Sequence, residues 1–105
     1  MNFSKLDGLI PAVIQDHLTG EVLMVAFMNE QALTLTQATG YATFFSRTRN
    51  ALWTKGETSG NRLRVTETLV DCDEDTVLLK VEREGSGNVC HTGSRTCFNT
   101  AGSER

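Results

Sequence analysis

The chain has 105 residues, 39% of them hydrophobic and 22% charged, with a net charge of −3. That length fits one domain over residues 1–105, the composition is that of an ordinary soluble protein, and the net negative charge argues against a nucleic-acid binder. The longest apolar stretch, Val22 to Met28, is too short to span a bilayer, and Met1-Asn2-Phe3-Ser4-Lys5 lacks the charged-then-apolar pattern of a signal peptide, so the expected address is cytoplasmic.

Pro11 to Asp16 reads as a strand, Asp16-His17-Leu18-Thr19-Gly20 has turn composition, and Val22 to Met28 reads as the return strand of a hairpin. Asn29 is a good N-cap for a helix over Glu30–Thr39 that stops at Gly40, although its threonines require help from tertiary packing. Tyr41 to Phe45 is a further expected strand. Ser46 to Gly60 reads as a polar loop, or as a loop with a short strand around Trp53. Arg62–Val70 and Thr76–Glu82 read as strands joined by a tight acidic turn, and the tail after Phe98 is expected to fray. One principal helix among hairpin-linked strands predicts an α+β domain with a mainly antiparallel sheet.

Charge is unevenly placed. Arg47, Arg49, Lys55, Arg62 and Arg64 make a basic segment, while Asp71, Asp73, Glu74 and Asp75 make an acidic one. Such a pair could hold an anion and a cation side by side, or form solvated surface. In extended backbone Asp71, Asp73 and Asp75 share one face and Cys72 takes the other. Three carboxylates suit Mg²⁺ or Mn²⁺, and a thiolate suits zinc. An EF-hand calcium loop is a poor match, because Thr76 stands where the sharp turn needs glycine and Val77 to Val81 is strand-like. A metal-free acidic turn is the plain alternative.

Three cysteines, Cys72, Cys90 and Cys97, do not suit a closed disulfide framework; their Asp and His neighbours suggest metal binding or catalysis, with burial as small hydrophobes the plain alternative. Cys90 and Cys97 are seven apart, which is not the spacing of a zinc finger. Three thiolates leave a fourth tetrahedral position for water, as in a catalytic zinc site. His91 is either the fourth ligand of a closed site or a general acid/base. Trp53-Thr-Lys-Gly-Glu-Thr-Ser-Gly-Asn61 could cradle a phosphate with its glycines, hydroxyls, amides and Lys55, helped by Arg47 and Arg49, though it is not a Walker loop. His17 lies in a surface turn and takes no role.

Five motifs in order carry a family resemblance. They are Gly20-Glu-Val-Leu-Met24 running on to Asn29, Ser46-Arg-Thr-Arg49, Trp53 to Gly60, Asp71-Cys-Asp-Glu-Asp75, and Cys90-His-Thr-Gly93 with Cys97-Phe98. From Leu9 to Phe98 the chain resembles phosphoribosyl-AMP cyclohydrolases, in their single-function form. The resemblance implies a hydrolase of histidine biosynthesis that opens the adenine ring of phosphoribosyl-AMP between N1 and C6. It implies magnesium on Asp71, Asp73 and Asp75, zinc on Cys72, Cys90 and Cys97, and a homodimer whose zinc ligands come from both subunits. Arg47, Arg49, Trp53, Lys55, Gly56, Thr58, Ser59 and Gly60 match substrate-site positions. His91 is the candidate proton shuttle, and Arg95 the candidate for binding a phosphate or stabilising charge. Ser94 replaces a frequent basic residue and Asn99 a frequent aromatic one. Two other readings stand beside this one: a closed structural zinc site in a non-catalytic interaction module, and a zinc hydrolase of the same fold acting on another nucleotide.

Overall fold

The first strand, β1 (Ile10–Asp16), alternates strictly, burying Ile10, Ala12, Ile14 and Asp16 on one face. It turns through Asp16–Gly20 into the antiparallel β2 (Val22–Met28). The computed structural model describes residues 1–98; Asn99 and the tail whose fraying was expected lie outside the described residues.

Helix α1 (Glu30–Thr39) begins where Asn29 Oδ1 accepts the Ala32 N–H at 2.8 Å, and ends where the Gly40 N–H reaches the Thr36 carbonyl at 2.9 Å. Its threonines turn out to tether it. The hydroxyls of Thr34, Thr36 and Thr39 donate to carbonyls four residues back, at 3.0, 2.9 and 2.9 Å. Buried Thr36 also accepts the Thr43 N–H at 2.9 Å, fixing the helix to the strand that follows. A weak helix former thus gains from tertiary contact what it lacks in propensity.

That strand, β3 (Thr43–Ser46), pairs with β4 (Ala51–Thr54) as a separate two-stranded ribbon. It starts two residues later than expected because the backbone before it is used elsewhere. Val65 N–H donates to Gly40 O at 2.8 Å, Ala42 N–H to Leu63 O at 3.0 Å, and Lys55 N–H to Ala42 O at 3.1 Å. The 40–42 segment therefore joins the ribbon to β5 (Leu63–Val70). β5 makes an antiparallel hairpin with β6 (Val77–Arg83) around the acidic turn.

The main sheet has the order β2-β1-β6-β5, antiparallel except for the central β1–β6 pair. Ile10, Ile14, Leu23, Met28, Leu79 and Val81 from this sheet, with Phe44 from β3, form the core; Val89 beyond β6 is also buried in it. The predicted α+β class with a mainly antiparallel sheet agrees with this architecture. None of the described helices is long and apolar enough to cross a membrane.

Asn29 caps the only α-helix among the described residues, so Asn29→Ala should lower stability by about 1 kcal/mol. Urea unfolding followed by circular dichroism would measure it, and an unchanged midpoint would contradict the capping role.

Candidate active site

Two loops form the walls of a cleft of about 380 Å³. One wall is the glycine-rich loop after β4, contributing Lys55, Ser59 and Asn61; the other is the segment after β6, contributing Asn88, Cys90 and His91. The second wall is braced internally. Cys90 N–H donates to Ser94 O at 3.0 Å, Gly93 N–H to Cys90 O at 2.9 Å, and Cys97 N–H to Leu23 O at 2.8 Å. The Thr96 hydroxyl, on a buried residue, adds bonds to Val22 O at 2.9 Å and Leu23 O at 3.1 Å. The 90–97 loop is therefore fastened to β2, and exposed His91 stands on a firm support.

Within this loop Cys90 and Cys97 each shift the ionisation of the other. The Thr92 hydroxyl, donating to Cys90 Sγ at 3.1 Å, holds the Cys90 thiol below its ordinary range, with help from the Thr92 N–H, Cys97 and Lys55. Burial pushes the Cys97 thiol up, and Cys90 beside it adds to the rise. One thiol prone to ionise beside one that keeps its proton is a donor set that fits a single soft dication in place of that proton.

Cys72 is not part of this pair. Its sulfur converges with the Asp71 and Asp73 carboxylates, all ligand atoms lying within 4.8 Å of one another. The expected alternation, with Cys72 facing away from its neighbours, fails because the segment is a turn and not extended strand. Asp71 O accepts the Glu74 N–H at 2.8 Å, Asp71 Oδ2 accepts the Asp73 N–H at 3.2 Å, and Glu74 has φ +59°. Asp75 stands beside Asp71 but is engaged by Lys5, whose ammonium lies 3.0 Å from its carboxylate. The Lys5 bond holds Asp75 below the usual carboxylate range. The carboxylates suit a hard cation by charge, and Lys5 already meets part of that charge.

The expected substrate residues divide between two places. Lys55 and Ser59 line the cleft beside the thiols. Arg47, Arg49 and Trp53 line a second cavity of about 390 Å³ with Phe27. There the Arg47 guanidinium sits 4.3 Å above the Phe27 ring, and Trp53 packs on Phe44 with ring centroids 5.0 Å apart. Thr58 and Gly60 are exposed on the glycine-rich loop, and Gly56 packs against the Asn61 backbone. Arg95 makes a bidentate pair with Glu21, both bonds 2.8 Å, so its guanidinium ties the 90–97 loop to the β1–β2 hairpin. Ser94, where a basic residue is frequent, spends its carbonyl on Cys90.

Sequence reasoning read Asn61 only as one polar group of the phosphate-type loop, and passed over Asn88 and the ion pair behind it. Asp16, 5% exposed, accepts the Leu18 and Thr19 N–H groups at 2.9 and 3.0 Å and pairs with Arg83 at 2.9 Å. Arg83 in turn donates to Gly87 O at 3.0 Å, holding the chain that leads to Asn88. An aspartate at the last inward position of an alternating strand was the available signal.

A cleft that sets an imidazole, an ammonium and a thiol around one space is the equipment of an enzyme. The sequence profile described as phosphoribosyl-AMP cyclohydrolase matches residues 24–99. Proteins of that name from Geotalea uraniireducens, Geobacter metallireducens and Pelobacter propionicus are 61%, 58% and 58% identical over 98 residues, covering 93% of this chain and 78% of each relative. The chain belongs to the phosphoribosyl-AMP cyclohydrolase family. It is an enzyme, and the reading as a non-catalytic interaction module falls.

The ion pair behind the cleft makes stability depend on pH. Burial pushes the Asp16 carboxyl up, but the Thr19 and Leu18 N–H donors and Arg83 outweigh it and hold the group below its ordinary value of 3.8. A depressed carboxyl stabilises above its unfolded pKa and loses that contribution as pH falls through the folded value. Asp16→Asn should therefore be less stable than the parent by on the order of 2 kcal/mol at neutral pH. The gap should close as pH drops below 3.8. Unfolding curves across that range would measure it, and a gap independent of pH would contradict the assignment.

Proposed function

We propose that this chain opens the adenine ring of phosphoribosyl-AMP by hydrolysis of the N1–C6 bond, in the cytoplasmic pathway of histidine biosynthesis. The observation that carries this reading is the cleft between Lys55 and His91, lined also by Cys90, in a chain of this family. In the reaction, water oxygen bonds to C6, the C6–N1 bond breaks, and N1 leaves with a proton.

His91 is the group that moves that proton: it lines the cleft and is exposed to it. Lys55 and Ser59 offer an ammonium and a hydroxyl to one phosphate of the substrate. Arg47 and Arg49 offer guanidinium groups to the other, with Trp53 and Phe27 as apolar walls. Arg95 acts at a distance, since Glu21 holds its guanidinium. Gly56, Thr58 and Gly60 shape the loop that presents Lys55.

Cys90 and Cys97 would hold zinc, which would supply an activated water at neutral pH. Cys72 of a second copy would supply the third thiolate; the gathering of Cys72 with Asp71 and Asp73 in its own chain supports this reading. The functional unit is accordingly a homodimer with two shared zinc sites. Magnesium belongs on Asp71, Asp73 and Asp75, where it competes with Lys5 for the last carboxylate.

Purified protein should open the ring in a spectrophotometric assay, lose activity on chelation, and regain it with Zn²⁺ and Mg²⁺. A folded, metal-loaded dimer without turnover would refute the reading. His91→Ala should lower turnover by roughly 10²–10⁴-fold at unchanged zinc content, as removal of a general acid/base does. Zinc lost together with activity would make His91 a ligand instead.

A further inference from the structure

Asn61 sits where the two walls of the cleft meet, and both faces of its side chain amide are used. Oδ1 accepts the Ser86 N–H at 2.9 Å, and Nδ2 donates to Asn88 O at 3.4 Å. Its backbone N–H donates to Ser59 Oγ of its own loop at 3.2 Å. Asn88 lies two residues before Cys90 and three before His91, with buried Val89 between them as an anchor.

The space around Asn61 is closed by two glycines from different loops. A Cβ on Gly56 would collide with the Asn61 backbone, and a Cβ on Gly85 with Asn61 Oδ1. Both have positive φ, +78° and +67°. Among the described residues these are the only glycines whose added Cβ would meet another atom closer than ordinary contact, and both meet Asn61. Two loops thus leave out side chains at the points where they clasp the same asparagine.

The far side of the second loop is already fixed, because Arg83, held by buried Asp16, donates to Gly87 O at 3.0 Å. The near side is joined to the Lys55–Gly60 loop through Asn61. We infer that Asn61 is a positioning residue: it clips the Lys55–Gly60 loop to the 85–88 segment and so sets the separation between Lys55 and His91 across the cleft. Its consequence for the reaction is geometric. The phosphate wall and the proton-transfer wall come from segments separated by the whole β5–β6 hairpin, and a side-chain amide joins them directly.

The kinetic half of this inference rests on the hydrolase reading above; the structural half does not. The test uses Asn61→Leu, which keeps the size of the side chain and removes both polar contacts, and Gly85→Ala, which pushes on the clip from the other loop. Amide hydrogen exchange should show the Ser86 N–H losing protection in each variant, with the β1 and β6 amides unchanged. The kcat/KM for phosphoribosyl-AMP should fall by about 10–100-fold in each, as displacement of a binding wall by about 1 Å does. The shape of the pH–rate profile should stay as in the parent. The double variant should be little worse than the worse single one, because both changes strike one contact.

Reduced kcat/KM with Ser86 still protected would overturn the inference and make Asn61 a direct substrate contact. Lost protection with parental kinetics, or fully additive losses, would also overturn it. A parent protein that shows no turnover would refute the hydrolase reading alone, since the exchange result on Ser86 stands apart from the chemistry.

Discussion

Five residue pairs between β1 and β6, from Ala12–Val77 to Asp16–Val81, hold the two hairpins of the chain side by side. This is the only parallel pairing in the described sheet. Both ends of the molecule depend on it. At the start of β6 it brings the acidic turn beside the segment that precedes β1, so that Lys5 reaches Asp75. At the far end it sets Asp16 against Arg83, which carries the chain onward into the wall of the cleft. A loss of this register would uncouple the core from the site, because the same strands supply both.

The distribution of cysteines follows from that arrangement. Cys72 belongs to the turn before β6; Cys90 and Cys97 follow β6 and are fastened to β2. A tetrahedral thiolate site needs its sulfurs within a few ångströms of one metal. One copy offers Cys90 at the cleft, Cys97 on the same loop and Cys72 at the acidic turn. On the proposed reading, two copies solve this by exchange, each lending Cys72 to the other. A small chain with a modest core also gains stability from such a shared metal.

Much of the fold was legible because its signals are local. Strand alternation in β1, Asn29 and Gly40 around α1, and the acidic turn between β5 and β6 each depend on a few adjacent residues. The parallel β1–β6 pair was not legible, since its partners are about sixty residues apart and no turn chemistry specifies them. The site divides in the same way. Lys55, Ser59, Cys90 and His91 stood out by residue type and meet at one cleft. The side of the acidic turn that Cys72 takes was misread, because strand alternation does not hold where Glu74 enters the left-handed region. Asn61 was legible only as a polar loop residue because its contacts come from a distant segment, and the pairing of Arg95 with Glu21 had no local signal.

The central claim is a reaction centre split between copies, with Cys90 and Cys97 on one side and Cys72 of the other copy opposite. Cys72→Ser and Cys90→Ser chains, each inactive alone, can be unfolded, mixed in equal amounts and refolded together. Random pairing makes half of the dimers mixed, each with one intact site of two, so turnover and bound zinc should return to about a quarter of the parent level. No recovery in well-folded mixed dimers would contradict the account, and would place all three cysteines of a working site in a single chain.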